Sequence, residues 1–294
     1  MDWITGLQKA IDYIEANILE IIDYEKVAKC AYSSSFHFQR TFSLLTGMTV
    51  GEYIRNRRLT LAGAELSMSK SKIIHISLKY CYETPESFAK AFTRFHGVTP
   101  SAAREPGANL KSFSRLSVKI IMEGGDVMDY KIVKKETFKV IGKVRSFSND
   151  NSISYSELPK FWSESHSDGT LETLIKLFKS SNQVIGNAVL GICDSINSVD
   201  NKHFNYSIGV ESDVNEVPDG YSIMEIPAST WAVFKCVGAM PNAIQDMWQK
   251  IYSKFFPQSD YEPTQGIDFE YYPEGDNSKA DYVSEIWLPV RKKA

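Results

Sequence analysis

Apolar residues recur at helical spacing through the first hundred positions and change to strand-like alternation after about residue 130. Ile4, Leu7, Ile11, Ile14 and Ile18 form one stripe, which predicts a first helix over about 2–19. Asp23 is placed to cap a short helix over 24–31. After a polar turn at 32–34, the stretch SSFHFQRTFSLLTG (34–47) sets Phe38, Phe42 and Leu45 on one side of a helix, with Phe36, Gln39 and Arg40 on another. Gly47 closes that helix at the usual left-handed stop. A longer helix follows over about 50–67, with Tyr53, Ile54, Leu59 and Leu61 inward and Arg55, Arg57 and Arg58 near its middle.

The design then repeats. With Phe42 set on Phe92, the pairs Tyr32/Tyr82, Phe38/Phe88, Gly47/Gly97 and Thr49/Thr99 are identical, and Arg40 falls on Lys90. Residues 73–80 give the second short helix, and Thr84 followed by Pro85 is a strong start signal for TPESFAKAFTRFHG (84–97). One helix-turn-helix unit is common in helical proteins. Two at constant spacing, each with an outward cation, fit a reader of two successive major grooves, roughly 34 Å apart. A connecting helix of about 18 residues spans roughly 27 Å, a suitable spacer.

Charge supports this reading. The net charge of −3 hides an asymmetry: residues 24–104 hold 12 Lys/Arg against 5 Asp/Glu, whereas 109–294 hold 20 against 25. A basic segment joined to an acidic one fits a nucleic-acid module attached to one that binds something else. Cys30, Cys81, Cys193 and Cys236 lie far apart and suggest neither a disulfide framework nor a metal site. No run approaches eighteen apolar residues and the start lacks a signal-peptide design, so a soluble cytoplasmic protein with no membrane partner is expected.

The segment VAKCAYSSSFHFQRTFSLLTGMTVGEYIRNRRL (27–59) resembles the first helix-turn-helix of AraC/XylS-family transcription regulators, and ISLKYCYETPESFAKAFTRFHGVTPSAAR (76–104) resembles the second. His37, Gln39, Arg40 and Phe42 match the HxQRxF of the Rob/MarA/SoxS branch. The resemblance implies that Ser35, Phe36, Gln39 and Arg40 face one major groove of double-stranded DNA, and Glu86, Ser87 and Lys90 the next. Cys81 stands where the family has glycine, which implies that the second turn reaches its conformation differently, and Ala103 replaces a customary tyrosine. Glu86 would repel phosphate unless it accepts a hydrogen bond from a cytosine amino group.

Pro106–Gly107 and Gly124–Gly125 bracket a joint whose LSVKIIM stretch (116–122) alternates like a strand. The domains are therefore drawn at 1–108, a linker at 109–128, and 129–294, with the helix-turn-helix units at about 24–46 and 73–96. Beyond the joint the order is strand (130–144), helix (154–179, interrupted near 166–169), strands (188–193 and 204–211), then again strand (221–237), helix (242–255) and strands (267–272 and 281–290). The fold class expected is α+β multidomain, an all-α bipartite helix-turn-helix domain followed by an α+β domain of duplicated βαββ units.

In the last strand Ile286, Leu288 and Val290 share a face suited to packing under helices, while Glu285 and Trp287 share the other. A carboxylate beside a tryptophan lies either at a solvated rim or in a pocket with a cationic or hydrogen-bonding ligand. Tyr155, Trp162, Tyr206, Trp231 and Tyr271 are available to line such a pocket, and each would serve the core as well. IGKV, YSIGVES, IPASTWAVFKCVG, WQKIY and SEIWLPV together resemble the GyrI-like effector-binding domain, whose buried glutamate matches Glu285. That resemblance implies a groove between halves that binds small amphipathic or cationic aromatic effectors. No cofactor is implied, and the effector would bias DNA affinity or contact with RNA polymerase. Some relatives hydrolyse reactive ring compounds in this pocket, so a fused hydrolase is the alternative. Against an enzyme, the sequence has no serine–histidine–acid pattern, metal cluster or phosphate-cradling glycine loop.

Overall fold

The structure is a computed structural model that describes residues 3–118, 128–148, 151–178, 183–194 and 203–293, without the side chains of Trp3, Ile4 and 151–156. Its contacts divide the chain into two compact units. One joins 4–32 with 48–120. The other joins 33–47 with the C-terminal part of the chain. Among the described residues, no helix is long and apolar enough to cross a membrane.

The helical unit contains α1 (Trp3–Ala16) and α2 (Tyr24–Cys30), the latter capped by Asp23, whose side chain accepts from Glu25 N–H. The expected stripe of α1 is buried at Leu7, Ile11 and Ile14. After α3 (Ser35–Thr46), which belongs to the other unit, come α4 (Val50–Met68), α5 (Ile73–Lys79) and α6 (Pro85–His96). A full capping box between Thr49 and Glu52 starts α4. Leu59, Ala62 and Leu66 of α4 pack with Ile76, Tyr80, Phe88 and Phe92 in one core. Arg57, one of the three arginines near the middle of α4, turns inward. It forms a bidentate pair with Glu15 at 2.8 and 2.9 Å and donates to Phe113 O at 2.7 Å.

Cys81 takes the left-handed conformation itself, at φ 63°, so the second turn keeps the glycine-like geometry without a glycine. The expectation of a different turn is corrected. Residues 109–118, expected in a linker, run as an irregular strap along this unit. Phe113 N–H donates to Thr60 Oγ1 at 2.9 Å and Leu116 N–H to the Tyr53 hydroxyl at 3.2 Å. Residues 116–118 carry no strand, and the rest of the expected LSVKIIM strand lies outside the described residues.

The second unit is built on an antiparallel sheet. Its strands are β1 (Tyr130–Lys135), β2 (Phe138–Ser148), β3 (Ala188–Asp194), β4 (His203–Glu211), β5 (Ser222–Ile226), β6 (Ser229–Val237), β7 (Tyr261–Pro263), β8 (Ile267–Pro273) and β9 (Val283–Lys292). The order β1-β6-β9-β8-β3-β4-β2-β5, with β7 added beside β9, is two matching halves joined along the β3–β8 seam. This is the expected duplication. Helices α7 (Asn151–Ser167) and α8 (Thr170–Leu177) serve the first half, with Gly169 at φ 79° between them. Helix α9 (Asn242–Lys250), prolonged by a wide turn at Ile251–Phe255, serves the second.

Alternation divides the sheet's side chains between two cores. Phe234, Ile286, Leu288 and Val290 pack with Ile244 and Trp248 of α9, while Phe204, Tyr206 and Ile208 pack with Phe161 and Leu174 of α7 and α8. The opposite face carries Val140, Leu190, Trp231, Val233, Phe269 and Trp287.

One close contact in the helical unit is testable. His96 is buried, with Nδ1 accepting from Lys111 N–H at 3.1 Å and Nε2 therefore donating to Leu59 O at 2.9 Å. A Cβ at Gly63 would lie 2.8 Å from its Cε1. Alanine ordinarily favours a helix interior over glycine by about 1 kcal/mol. Here Gly63→Ala is expected to destabilise by about 1–3 kcal/mol, because the doubly anchored ring cannot swing away. A raised urea midpoint for the variant would show that the ring yields.

Candidate functional site

Asp268 and Glu270 lie two residues apart on β8, so both carboxylates leave the same face of the sheet. Cys193 and Gly191 stand opposite them on β3, at the seam between the halves. Gly191 leaves room there: a Cβ would overlap the Tyr206 hydroxyl and lie 3.0 Å from Trp162 Cζ2. Trp248 and Tyr252, one helical turn apart, form one wall, with rings nearly parallel and centroids 6.2 Å apart. Trp248 Nε1 donates to Glu270 Oε1 at 2.7 Å, and the Tyr272 hydroxyl donates to Oε2 at 2.8 Å. Tyr272 meets Trp162 of α7 edge-on at 5.3 Å, and Trp162 Nε1 donates to the Tyr206 hydroxyl at 3.0 Å. Two carboxylates thus sit in an aromatic cleft between the helices of the two halves.

The occupant of this cleft is α3. The Arg40 guanidinium lies 3.8 Å above the Trp248 ring. Its Nη1 is 3.5 Å from Asp268 Oδ1, and its Nη2 is 3.4 Å from Glu270 Oε1. His37 Nε2 shares a hydrogen bond with the Tyr252 hydroxyl, and the Phe36 ring packs on Phe204 with centroids 3.9 Å apart. Leu44 and Leu45 add to the core under α9. The helix is self-contained: Ser34 Oγ accepts from His37 N–H, and Gly47, at φ 71°, closes the C-terminus.

Electrostatics follow from burial. Removal from water raises the Asp268 carboxyl to about 7, against the pull of Arg40 and with help from Glu270. The same cause, with Arg40 adding to it, lowers His37 to about 4. Burial also pushes the Tyr252 and Tyr272 hydroxyls upward, which keeps them protonated donors.

The residues singled out from sequence are distributed unevenly. Ser35, Phe36 and Gln39 are buried on α3, with Gln39 Nε2 donating to Ser35 Oγ at 3.2 Å, and the Arg40 side chain keeps 16% of its exposure. Glu86, Ser87 and Lys90 are exposed on α6. Glu86 lies in the first turn of α6, where a carboxylate complements the helix dipole. Trp162 and Tyr206 border the cleft. Glu285, Trp287, Trp231 and Tyr271 leave the opposite face of the sheet, so the set expected around Glu285 does not form one pocket. Trp287 and Trp231 pack on Phe269. Glu285 accepts from Trp287 Nε1 at 2.8 Å and pairs with Lys131 at 3.2 Å. The Tyr155 side chain lies outside the described residues.

Sequence reasoning missed Asp268, Glu270, Tyr272, Trp248 and Tyr252. A signal existed in IDFEYYP, where polar positions 268, 270 and 272 alternate with apolar Ile267 and Phe269, and in the (i, i+4) spacing of Trp248 and Tyr252.

Comparison with known proteins places two families on the chain. Residues 131–290 match the model of the integron-associated effector binding protein, and residues 27–106 match a helix-turn-helix domain. The transcriptional activator AarP of Providencia stuartii is 35% identical over 98 residues, 33% of this chain and 73% of AarP. The transcriptional regulator Rob of Salmonella typhimurium is 22% identical over 310 residues, which cover 99% of this chain and all of Rob. The solved structure of SAV2435 bound to tetraphenylphosphonium is 22% identical, covers 56% of this chain and 94% of its own, and superposes with a TM-score of 0.49.

The shifts at Asp268 and His37 oppose one another. Between pH 4 and 7 folded Asp268 keeps a proton that the unfolded chain has lost, so its contribution makes stability fall as pH rises. Between pH 4 and 6.5 the unfolded chain keeps a proton on His37 that the folded chain lacks, so that contribution rises with pH. Asp268→Asn is expected to leave stability that climbs over about pH 4–6.5, and His37→Gln stability that falls over about pH 4–7, each by at most about 1.4 kcal/mol per pH unit. Urea midpoints measured across this range check both slopes.

Proposed function

Because the chain belongs to the AraC-type helix-turn-helix transcription regulators and carries an effector-binding domain of the integron-associated family, we propose that its effector is a small organic cation with an aromatic body. The protein is a DNA-binding transcription regulator. Its cleft offers a cation two carboxylates and an aromatic plate, and the cation already seated there, Arg40 at 3.8 Å above Trp248, is the observation that carries the reading. A soluble organic cation would take the same partners, with Trp162, Tyr206 and Tyr272 around its apolar body. Glu270, whose two oxygens are held by Trp248 and Tyr272, is the oriented carboxylate. AarP and Rob are named as transcription regulators, and sensing accounts for the cleft without turnover.

On the DNA side, α3 and α6 read double-stranded DNA through Ser35, Phe36, Gln39 and Arg40 and through Glu86, Ser87 and Lys90. Matching caps on the two helices, Ser34 with Gly47 and Thr84 with Gly97, support their equivalence. The output is a change in promoter occupancy or in contact with RNA polymerase.

Tetraphenylphosphonium is a suitable probe. It is expected to quench tryptophan fluorescence saturably. Glu270→Gln should weaken binding at least about tenfold, or ~1.4 kcal/mol. Glu285→Gln should leave it within about twofold, because its ion pair lies at an exposed rim on the other face of the sheet. The reverse ranking would overturn this assignment and move the site to the Glu285 face.

A further inference from the structure

The two reading helices share a sequence design but not a setting. Glu86, Ser87 and Lys90 of α6 are open to solvent, whereas Ser35, Phe36 and Gln39 of α3 are buried. Arg40 is spent on Asp268 and Glu270, and His37 on Tyr252. A helix held this way cannot lie in a major groove, because its base-reading side chains already have partners.

Resting on the reading of the cleft as a cation site, we propose that α3 and the effector are competing occupants of the same cleft, and that effector binding frees the first reading helix for DNA. Arg40 serves as an internal stand-in for the ligand. Its ion pairs, at 3.4 and 3.5 Å, are longer than the 2.7–2.9 Å of tight charge-assisted hydrogen bonds, whereas Trp248 holds Glu270 at 2.7 Å. Glu270 is therefore fixed by the cleft's own side chains, and the Arg40 guanidinium is its more distant partner. Helix α3 carries its own caps at both ends, so it can leave as a formed helix. Two ligands of one site exclude each other, and the shift in population equals their difference in affinity for the two states. Because linkage is reciprocal, DNA that captures α3 also raises the affinity of the emptied cleft for the cation. The device makes the effector an inducer of DNA binding by the first head.

The full chain tests this with tetraphenylphosphonium. Arg40→Gln removes the internal competitor and is expected to tighten probe binding roughly tenfold, the factor that a cleft occupied about nine-tenths of the time imposes. In the wild-type chain, saturation with the probe is expected to speed amide hydrogen exchange across 35–46 while leaving 85–96 unchanged. If the probe binds in a Glu270-dependent way but Arg40→Gln does not tighten it and 35–46 stay protected, competition is overturned and the cation site stands. If neither chain takes up the probe, both the site and the competition fall. As a check free of ligand, the double variant Asp268→Asn/Glu270→Gln should speed exchange across 35–46 by itself, and unchanged protection there would also overturn the competition.

Discussion

The structure depends on one buried charge and what surrounds it. A guanidinium taken out of water loses several kcal/mol of hydration, and it is tolerated only where carboxylates and an aromatic face replace that hydration. Arg40 finds both, in Asp268 and Glu270 and in the ring of Trp248. The dependence is mutual, since two carboxylates on one buried face of β8 repel each other without a cation. Burial raises Asp268 to about 7, with Glu270 adding to the rise and Arg40 opposing it, and burial, with Arg40 beside it, lowers His37 to about 4. Arg40 supplies the cation that this arrangement of carboxylates and aromatic ring accommodates.

The sheet makes the cleft possible. Joining two βαββ halves along β3 and β8 leaves the seam between their helices, so β8 contributes side chains where neither half's helix layer fills the space. Alternation does the rest. Positions 268, 270 and 272 face the helices, while 269 and 271 face the opposite core. Gly191 completes the floor by withholding a side chain beneath Trp162 and Tyr206. On the other face Trp231, Phe269 and Trp287 form an apolar core with Glu285 and Lys131 at its rim.

In the helical unit, packing converts apparent surface charge into structure. Arg57, in the arginine cluster near the middle of α4, is committed to Glu15 and to the strap at Phe113. Cys81 shows the same priority of context over local preference: in the connection between α5 and α6 it accepts a left-handed conformation, at a cost of about 1–2 kcal/mol.

The sequence by itself determined the elements, the duplication in each half of the chain, and both family resemblances. These rest on periodicity, caps and turn residues, which act within a few positions: Ser34 with Gly47, Thr84 with Gly97, and alternating Ile286, Leu288 and Val290 all formed as their spacing requires. It also named Trp162 and Tyr206. Only the tertiary structure decided which carboxylates share a cleft, because Arg40 and Glu270 are 230 residues apart and nothing local links them. Only it decided that Glu285 lies on the opposite face from Tyr206, since relative face depends on strand pairing across the seam. And only it separated two reading helices of matching pattern, one open to solvent and one buried with a cation of its own, because burial depends on what a helix meets and not on how it is spelled.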